Sequence, residues 1–300
     1  MVFYIISTVV IFAAFLASFH QHFIQKCTVK PKWIYRLHNA AAFAFAYLII
    51  QFYNPNVFLF SVALMLTTTK IYDVIRSRRT PRKQEVALVT EYARDMWLFV
   101  LLFWALRTFI ADYSPIPSGS MEPGLVAGDL ILINKLSYQV KVPPFDKPLY
   151  QFSTPSRGDV VVFNPPTDEN AFWIKRVIAV GGDRLEYRNK QYFVNGKPYQ
   201  QSNKVSNFKN KYAPLLTVMD EDIDGKVHKI QTDNRQFNDP IDIVVPQGYL
   251  FVSGDNRDFS YDSRMIGPIP VTSVVGQATH LITQFKLPTI LSFSRSGKIY

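Results

Sequence analysis

The chain has 300 residues, of which 48% are hydrophobic, and a formal net charge of +10. This length and composition leave room for a membrane part and one large or two small soluble domains. Up to residue 113 the chain carries 12 Lys and Arg against 5 Asp and Glu, and beyond it 21 against 18. Because the basic excess lies mostly in the apolar half, it indicates membrane topology and argues against nucleic-acid binding.

The cysteine and histidine residues give no sign of a disulfide or a metal site. The single cysteine, Cys27, excludes an internal disulfide. The five histidines show no HExxH-type pairing, and the sequence offers no other obvious zinc ligand set. We therefore predict no metal site.

Apolar runs predict a membrane anchor over residues 1–113. The first run has no positive charge before it and basic residues after it, unlike a cleaved export signal, so we expect a retained span. The two middle runs are short and fit either a tight helical hairpin or a re-entrant pair. The predicted spans are 2–19, 40–53, 57–69 and 96–112.

Two basic segments between these runs set the predicted orientation. Residues 20–39 and 70–94 are rich in Lys and Arg, which favours the cytoplasmic side of a membrane. A nucleic-acid patch is the alternative for the second segment. Crossing the last span then delivers residues 114–300 to the opposite, extracytoplasmic side.

The segment Ser114–Pro123 is predicted to be a stiff loop that carries chemistry. Its prolines fix φ and remove backbone donors, which excludes helix and central strand. Ser118 and Ser120 flank Gly119, whose backbone can bring an N–H close to a bound group. Ser120 follows the apolar run by roughly seven residues, so it lies within about 25 Å of the membrane surface. The alternative is a proline-rich linker.

Short β-branched segments separated by Gly, Pro, Asn and Asp predict an all-β barrel or sandwich over residues 114–300. Residues from about 195 to 242 are polar with few strand signals, so we expect an inserted, solvated lobe there. The predicted strands are Leu130–Ile133, Val160–Phe163, Phe172–Val180, Leu185–Tyr187, Tyr192–Val194, Ile243–Val245, Leu250–Val252 and Val274–Thr283.

A serine nucleophile needs a base within about 3 Å. His228 and His280 could serve in a Ser-His-Asp arrangement, but neither stands in a distinctive setting. Lys175 lies in an otherwise apolar strand, where loss of water favours the neutral amine and lowers its pKa toward about 7–8. A lysine at a strand edge that reaches water is the alternative. Lys175 is therefore our candidate for the base.

The third dense stretch runs from Gly254 to Arg264. So many polar groups between apolar strands form either a charged turn or a supporting hydrogen-bond shell. A general base must be oriented by a third group, and Ser260 is the candidate. Asp262 and Arg264 are predicted to form a structural ion pair that fixes this loop.

Four motifs resemble, in order and spacing, the conserved boxes of bacterial type I signal peptidases. The resemblance covers about residues 116 to 270, whereas the membrane half is similar only in architecture. The motifs are Ser118-Gly-Ser120-Met-Glu-Pro, Gly128-Asp129 with Lys135, Lys175-Arg176 with Gly182-Asp183, and Gly254-Asp-Asn-Arg-Asp with Ser260, Asp262 and Arg264.

The resemblance implies a Ser/Lys dyad that acts without metal or cofactor. In it Ser120 is the nucleophile, Lys175 the general base, and Ser118 an oxyanion donor beside the Ser120 N–H. Ser260 orients the lysine, and Asp262 with Arg264 supports it. The implied fold is a β-rich catalytic domain with an inserted lobe.

The implied activity is removal of signal peptides from exported preproteins by a multi-pass protein of the bacterial inner membrane. Its catalytic domain would lie on the periplasmic side, with the signal peptides, the lipid bilayer and the translocation machinery as partners and no nucleic acid. Substrates would carry small residues at the first and third positions before the cut. Shallow pocket walls are expected from Ile116, Met121 and Ile174.

The sequence departs from the family pattern at two places near the motifs. Ala179 and Gly181 replace the first Gly and the Pro of a usual Gly-x-Pro-Gly-Asp turn, and Phe259 replaces an asparagine. Two extra short apolar segments also exceed the two-span plan common in Gram-negative members.

Two other functions fit the residues. One is a membrane-anchored Ser/Lys peptidase that cuts itself or a regulatory partner. The other is a non-catalytic β domain that holds exported chains.

Overall fold

The computed structural model describes residues 88–141, 148–167, 171–206, 216–236, 240–284 and 292–299, together with residues 63, 67, 71, 74 and 75. The predicted spans 2–19 and 40–53 and the basic loop 20–39 lie outside the described residues. Most of the span 57–69 and of the loop 70–94 also lies outside them.

The chain divides into two compact units, Met1–Ala105 and Leu106–Tyr300. In the first unit, helix α1 spans Leu88–Ala105. Within the described residues, none of the helices combines the length and apolarity needed to cross a bilayer.

The second unit begins with a single π-helical segment, Leu106–Ile110, and continues directly into a strand. Residues 111 and 112, which we predicted as the end of the last span, belong to this strand and pair with Asn134 and Ile133. The apolar run therefore extends past the end of the helical structure, because hydropathy alone does not mark where a helix gives way to a paired strand.

Strands make up most of the second unit, as the sequence predicts. A short helix α2, Ser263–Ile266, and two 3₁₀ turns, Lys135–Ser137 and Val271–Ser273, interrupt them. The strands are β1 Ala111–Pro115, β2 Asp129–Asn134, β3 Gln139–Lys141, β4 Pro148–Gln151, β5 Val160–Phe163, β6 Trp173–Val180, β7 Arg184–Arg188, β8 Gln191–Val194, β9 Lys197–Pro198, β10 Gln200–Ser206, β11 Leu216–Ile223, β12 Lys226–Asp233, β13 Ile241–Val244, β14 Tyr249–Ser253, β15 Ile269–Pro270, β16 Val274–Gln284 and β17 Gly297–Lys298.

The main sheet is a curled half barrel with the strand order β1-β2-β16-β5-β6-β14-β15, and β17 pairs with β16. Strands β5 and β6 lie in its centre, and every residue of β5 is buried. Side chains of β5 alternate between two hydrophobic clusters, one containing Val160 and Val162 and the other Val161 and Phe163. Each of the eight predicted strands coincides with an observed strand within two residues.

The region from about 195 to 242, predicted as a solvated lobe with few strands, is largely β structure. Strands β10, β11 and β12 form an antiparallel sheet, and β13 pairs with β7. Leu216, Ile223 and Ile230 are buried there. The strand signals are weak there because β11 carries Glu221 at an inward position, where its buried carboxylate pairs with Arg257. A charge inside the alternating pattern hides a strand from hydropathy reading. The inserted lobe itself stays a prediction.

Candidate active site

The nucleophile loop follows β1 and is tied to the edge of the main sheet. This loop comprises residues 116–128 and carries Ser120, the predicted nucleophile. Ile116 N donates to Asp129 O at 2.7 Å, and Gly128 N donates to Ile116 O at 2.9 Å. Met121 is fully buried beneath the loop. The chain between residues 116 and 128 is thus closed by backbone bonds at its ends and anchored by apolar side chains in the middle, so Ser120 cannot move freely.

A second element holds the same loop from the other side. Asn256 N donates to Ser120 O at 3.1 Å, and Asn256 Nδ2 donates to Gly119 O at 3.0 Å. Asn256 itself is buried. These two bonds fix the peptide that carries the nucleophile, and we call them the asparagine clamp.

Gly254 lies at the end of β14 and leaves the space that the nucleophile loop uses. A Cβ on this residue would stand 2.4 Å from Ser120 O and 2.3 Å from Ser260 Oγ. Non-bonded contacts of a Cβ atom are essentially never this short, so the close approach of Ser120 to the end of β14 requires glycine.

Lys175 lies in β6, an inner strand of the main sheet, where it pairs with Val161 of β5. On its other side, β14 ends with the pair of Ser253 and Arg176, one residue from Lys175. Its side-chain nitrogen is hydrogen-bonded to Ser120 Oγ at 2.7 Å. Lys175 is 5% exposed and Ser120 9% exposed. The structure therefore brings the two predicted catalytic residues into direct contact in a site with little water.

Burial lowers the pKa of Lys175 from 10.5 to about 8. The carboxylates of Asp262 and Asp255 act in the opposite sense, and the guanidinium of Arg264 lowers the pKa again. Loss of water is the largest of these effects, and it disfavours the charged ammonium. The neighbouring charges partly cancel one another, so they do not reverse it.

Each of those carboxylates is paired with an arginine. Arg176 binds Asp255 through two bonds of 2.8 Å, and both side chains are buried. Arg264 binds Asp262 in the same bidentate manner, also at 2.8 Å. Paired in this way, the acids attract the Lys175 ammonium less than isolated carboxylates would.

Asp262 also organises the backbone of the loop. It accepts hydrogen bonds from Gly254 N at 2.9 Å and Ser253 Oγ at 3.2 Å, and it caps helix α2 through Arg264 N. Burial raises the pKa of Asp262, but the hydrogen bond and charge of Arg264 outweigh it and leave that pKa below its usual value. The carboxylate thus stays charged and holds the end of β14.

The two other predicted site serines differ in exposure: Ser118 is exposed, whereas the hydroxyl of Ser260 is buried. Ser118 is exposed, and its Oγ lies 3.4 Å from Ser120 Oγ. Ser260 Oγ is buried and makes no hydrogen bond of ordinary geometry, although it helps lower the pKa of Asp262. No hydrogen bond between Ser260 and Lys175 is present in the described part of the chain, so its orienting role stays a prediction.

The three residues expected to line pockets, Ile116, Met121 and Ile174, belong to one buried hydrophobic cluster. Ile174 is adjacent to Lys175 in β6 and therefore projects to the opposite face of the sheet. With exposed fractions of 3%, 0% and 8%, these side chains offer at most the floor of a pocket. Their role in specificity stays a prediction.

The histidine alternative has no support in the geometry. His228 Nε2 lies 3.5 Å from Glu221 Oε2 and 3.8 Å from Asp255 Oδ1, within a buried group of charges. In the described part of the chain, the hydrogen-bond partners of Ser120 Oγ are Lys175 and Ser118. The same part of the chain holds no cluster of His, Cys, Asp and Glu that could bind a metal ion.

Asn256 and Gly254 contact the Ser120 loop, and sequence reasoning assigned neither of them an individual role. Both lie in the polar stretch that was singled out as a supporting shell, so their neighbourhood was visible. Their individual contacts with Ser120 join residues more than 130 positions apart. Composition carries no signal for a contact of that kind.

A serine hydroxyl hydrogen-bonded to a desolvated amine is the arrangement that a serine hydrolase with lysine as the base requires. The comparisons with known proteins indicate a serine-type peptidase. The family described as "Signal peptidase, peptidase S26" matches residues 89–283.

Three bacterial proteins named "Signal peptidase I" are similar to this chain. The protein from Pseudomonas fluorescens is 33% identical, covering 71% of this chain and 80% of that one. The protein from Pseudomonas aeruginosa is 31% identical over the same shares. The protein from Buchnera aphidicola is 32% identical over 70% of this chain and 83% of that one. The chain belongs to the signal peptidase family, peptidase S26, and is a serine-type peptidase.

Replacing Gly254 with alanine should lower kcat/KM for a peptide substrate about 100-fold, because the added carbon displaces Ser120 by a sizeable fraction of an ångström or more. Gly297→Ala is the matched control, since no atom lies within 4 Å of its Cβ position. Both variants are assayed for cleavage and for thermal unfolding. A folded Gly254→Ala enzyme with wild-type turnover would show that this close approach is not needed.

Proposed function

We propose that this chain removes signal peptides from exported preproteins with Ser120 as nucleophile and Lys175 as general base. Membership of the signal peptidase family supports the substrate class. The observation that carries the residue assignment is the 2.7 Å hydrogen bond between Lys175 Nζ and Ser120 Oγ in a buried setting.

In the proposed reaction, Ser120 Oγ bonds to the carbonyl carbon at the end of the signal sequence while its proton passes to Lys175 Nζ. Lys175 then gives that proton to the leaving amine as the C–N bond breaks, and water hydrolyses the acyl-enzyme. Lys175 must be neutral at the outset. With a pKa of about 8, roughly one molecule in ten is neutral at pH 7, against about one in three thousand at an ordinary lysine pKa.

The oxyanion that forms in this step needs donors. Among the described residues, the hydrogen-bond partner of Ser118 Oγ is Ser120 Oγ. The Ser118 hydroxyl is therefore available to turn toward a substrate. The Ser120 N–H is the second proposed donor, and the asparagine clamp holds its peptide in place. Removing one such donor typically costs about 10²–10³ in turnover.

A membrane location is part of the same proposal. Large apolar side chains of α1, among them Leu98, Phe99 and Leu102, are exposed to the surroundings. Exposed apolar surface of this kind favours contact with lipid over contact with water. We place the anchor predicted for residues 1–113, except for the last three residues, which lie in β1, in the bacterial inner membrane as a multi-pass segment. The catalytic domain would lie on the periplasmic side, with the translocation machinery nearby.

Specificity for small residues at the first and third positions before the cut is also proposed. The pocket floor would come from Ile174, the most exposed of the three pocket candidates, with Ile116 and Met121 beneath it. Because all three side chains are nearly fully buried, we expect room above them for small side chains only.

The Ser120→Ala and Lys175→Ala variants should be inactive, whereas Ser118→Ala should retain measurable activity reduced about 10²–10³-fold. The measurement is cleavage of a purified preprotein by full-length enzyme in detergent, with N-terminal sequencing of the product. Near-normal cleavage by Lys175→Ala would overturn the assignment of the base. An acylating inhibitor should label wild-type enzyme and leave Ser120→Ala unlabelled, which a binding module would not reproduce.

The pH dependence of kcat/KM follows from the lowered pKa of Lys175. The neutral amine is the active form, so activity should rise about tenfold per pH unit below the pKa and level off above about 8. Stopped assays from pH 6 to 10 would measure this. Activity that keeps rising to pH 10 would mean that the base titrates as an ordinary lysine.

A further inference from the structure

Two aromatic side chains stand beside the base. The Trp173 ring lies on the same strand as Lys175, and its centroid is 5.9 Å from Lys175 Nζ. Tyr261 packs edge-on against Trp173 at 5.7 Å with an interplanar angle of 74°. We call these two residues the aromatic wall. Behind it, Phe163 packs against Trp173 at 6.2 Å, so the indole is held between two rings.

The backbone that carries Tyr261 is fixed, although its ring is exposed. Its neighbours are Ser260, which packs against Gly254, and Asp262, which is fully buried and bonded to β14. The Tyr261 side chain is nevertheless 57% exposed. An exposed ring on an anchored backbone is preorganised to contact another molecule without a large loss of conformational entropy.

The reaction geometry identifies what that molecule would be. Ser120 Oγ lies 2.7 Å from Lys175 Nζ and 3.4 Å from Ser118 Oγ. The leaving amine takes its proton from Lys175 Nζ, so it must come within about 3 Å of that atom. The amine belongs to the first residue after the cut. Because the Trp173 ring centroid lies 5.9 Å from Nζ, Trp173 stands within one side-chain length of that residue, and Tyr261 extends the aromatic surface from Trp173.

We propose that the aromatic wall forms the subsite for the first residue after the cut, and that Tyr261 determines specificity there in favour of apolar side chains. This rests on the proposed function. Aromatic rings gain from contact with aliphatic groups, and their negative faces disfavour a carboxylate. An acidic residue at this position would also stabilise the Lys175 ammonium and so oppose the reaction.

The test uses full-length enzyme in detergent and preproteins that differ only in the first residue after the cut, namely Leu, Ala or Asp. Wild-type enzyme should show a kcat/KM about five- to tenfold higher for Leu than for Ala, as expected for an apolar contact of this size. Tyr261→Ala should reduce this ratio to about one, and Tyr261→Phe should retain it. Asp should stay unfavourable in all variants, since Lys175 is unchanged.

Tyr249→Ala is the matched control. Tyr249 is a 41% exposed tyrosine at the start of β14, whose neighbour Leu250 pairs with Val180 at the other end of β6 from Trp173. This control should keep the wild-type ratio. If Tyr261→Ala does not fold, Tyr261→Asn replaces it, and the Leu-to-Ala ratio should again fall because the apolar contact is lost.

The possible failures are distinguishable. A Tyr261 variant that lowers cleavage of every preprotein by the same factor, or leaves the Leu-to-Ala ratio unchanged, overturns the subsite while the dyad stands. If wild-type enzyme does not cleave, or Ser120→Ala cleaves equally well, the proposed function fails before Tyr261 is considered.

Discussion

The structure depends on one buried contact, the hydrogen bond between an amine and a hydroxyl in the middle of a sheet. Lys175 stands on a central strand, where neighbours on both sides exclude water. Lowering its pKa from 10.5 to about 8 corresponds to about 3 kcal/mol in favour of the neutral amine. This shift in the protonation equilibrium of Lys175 depends on the fold as a whole, because the surrounding strands and loops exclude water from the amine.

The buried charges around the site serve position more than stability. Among the described residues of the second unit, three arginines with side chains at most 8% exposed pair with buried carboxylates: Arg176 with Asp255, Arg264 with Asp262, and Arg257 with Glu221. Removing such groups from water costs several kcal/mol per ion, which their attraction only roughly offsets. In return, two of the pairs hold the stretch from Gly254 to Arg264 against β6 and β14. The asparagine clamp then passes that rigidity to Ser120.

Sequence reasoning reached the chemistry of the site and most of the main sheet. Val160–Phe163 reads as a strand because an uninterrupted β-branched run can be buried on both faces. Lys175 stands out because a charge in an otherwise apolar strand must be neutralised or paired, and only its neighbour Arg176 has a carboxylate bound bidentately to it. Sequence reasoning made Lys175 the candidate base for Ser120, and in the structure Lys175 Nζ lies 2.7 Å from Ser120 Oγ.

What sequence reasoning did not reach depends on contacts between distant residues. Strand β11 was missed because the partner that makes Glu221 tolerable inside the fold, Arg257, lies 36 residues away. The asparagine clamp joins residues 119 and 256, and the sequence around one residue gives no indication of its contact with the other. The packing of the Ser260 hydroxyl, which lies where Gly254 has no side chain, was likewise not visible in the sequence. In each case, register and packing decide what composition leaves open.

The central claim is that the Lys175 amine is largely stripped of water and titrates far below an ordinary lysine. Titration of enzyme labelled with ¹⁵N in lysine side chains measures this directly, with the Lys175 resonance identified by its loss in Lys175→Arg. The account predicts a midpoint near about 8 for this amine, while exposed lysines titrate above about 10. A Lys175 midpoint above about 10 would contradict it.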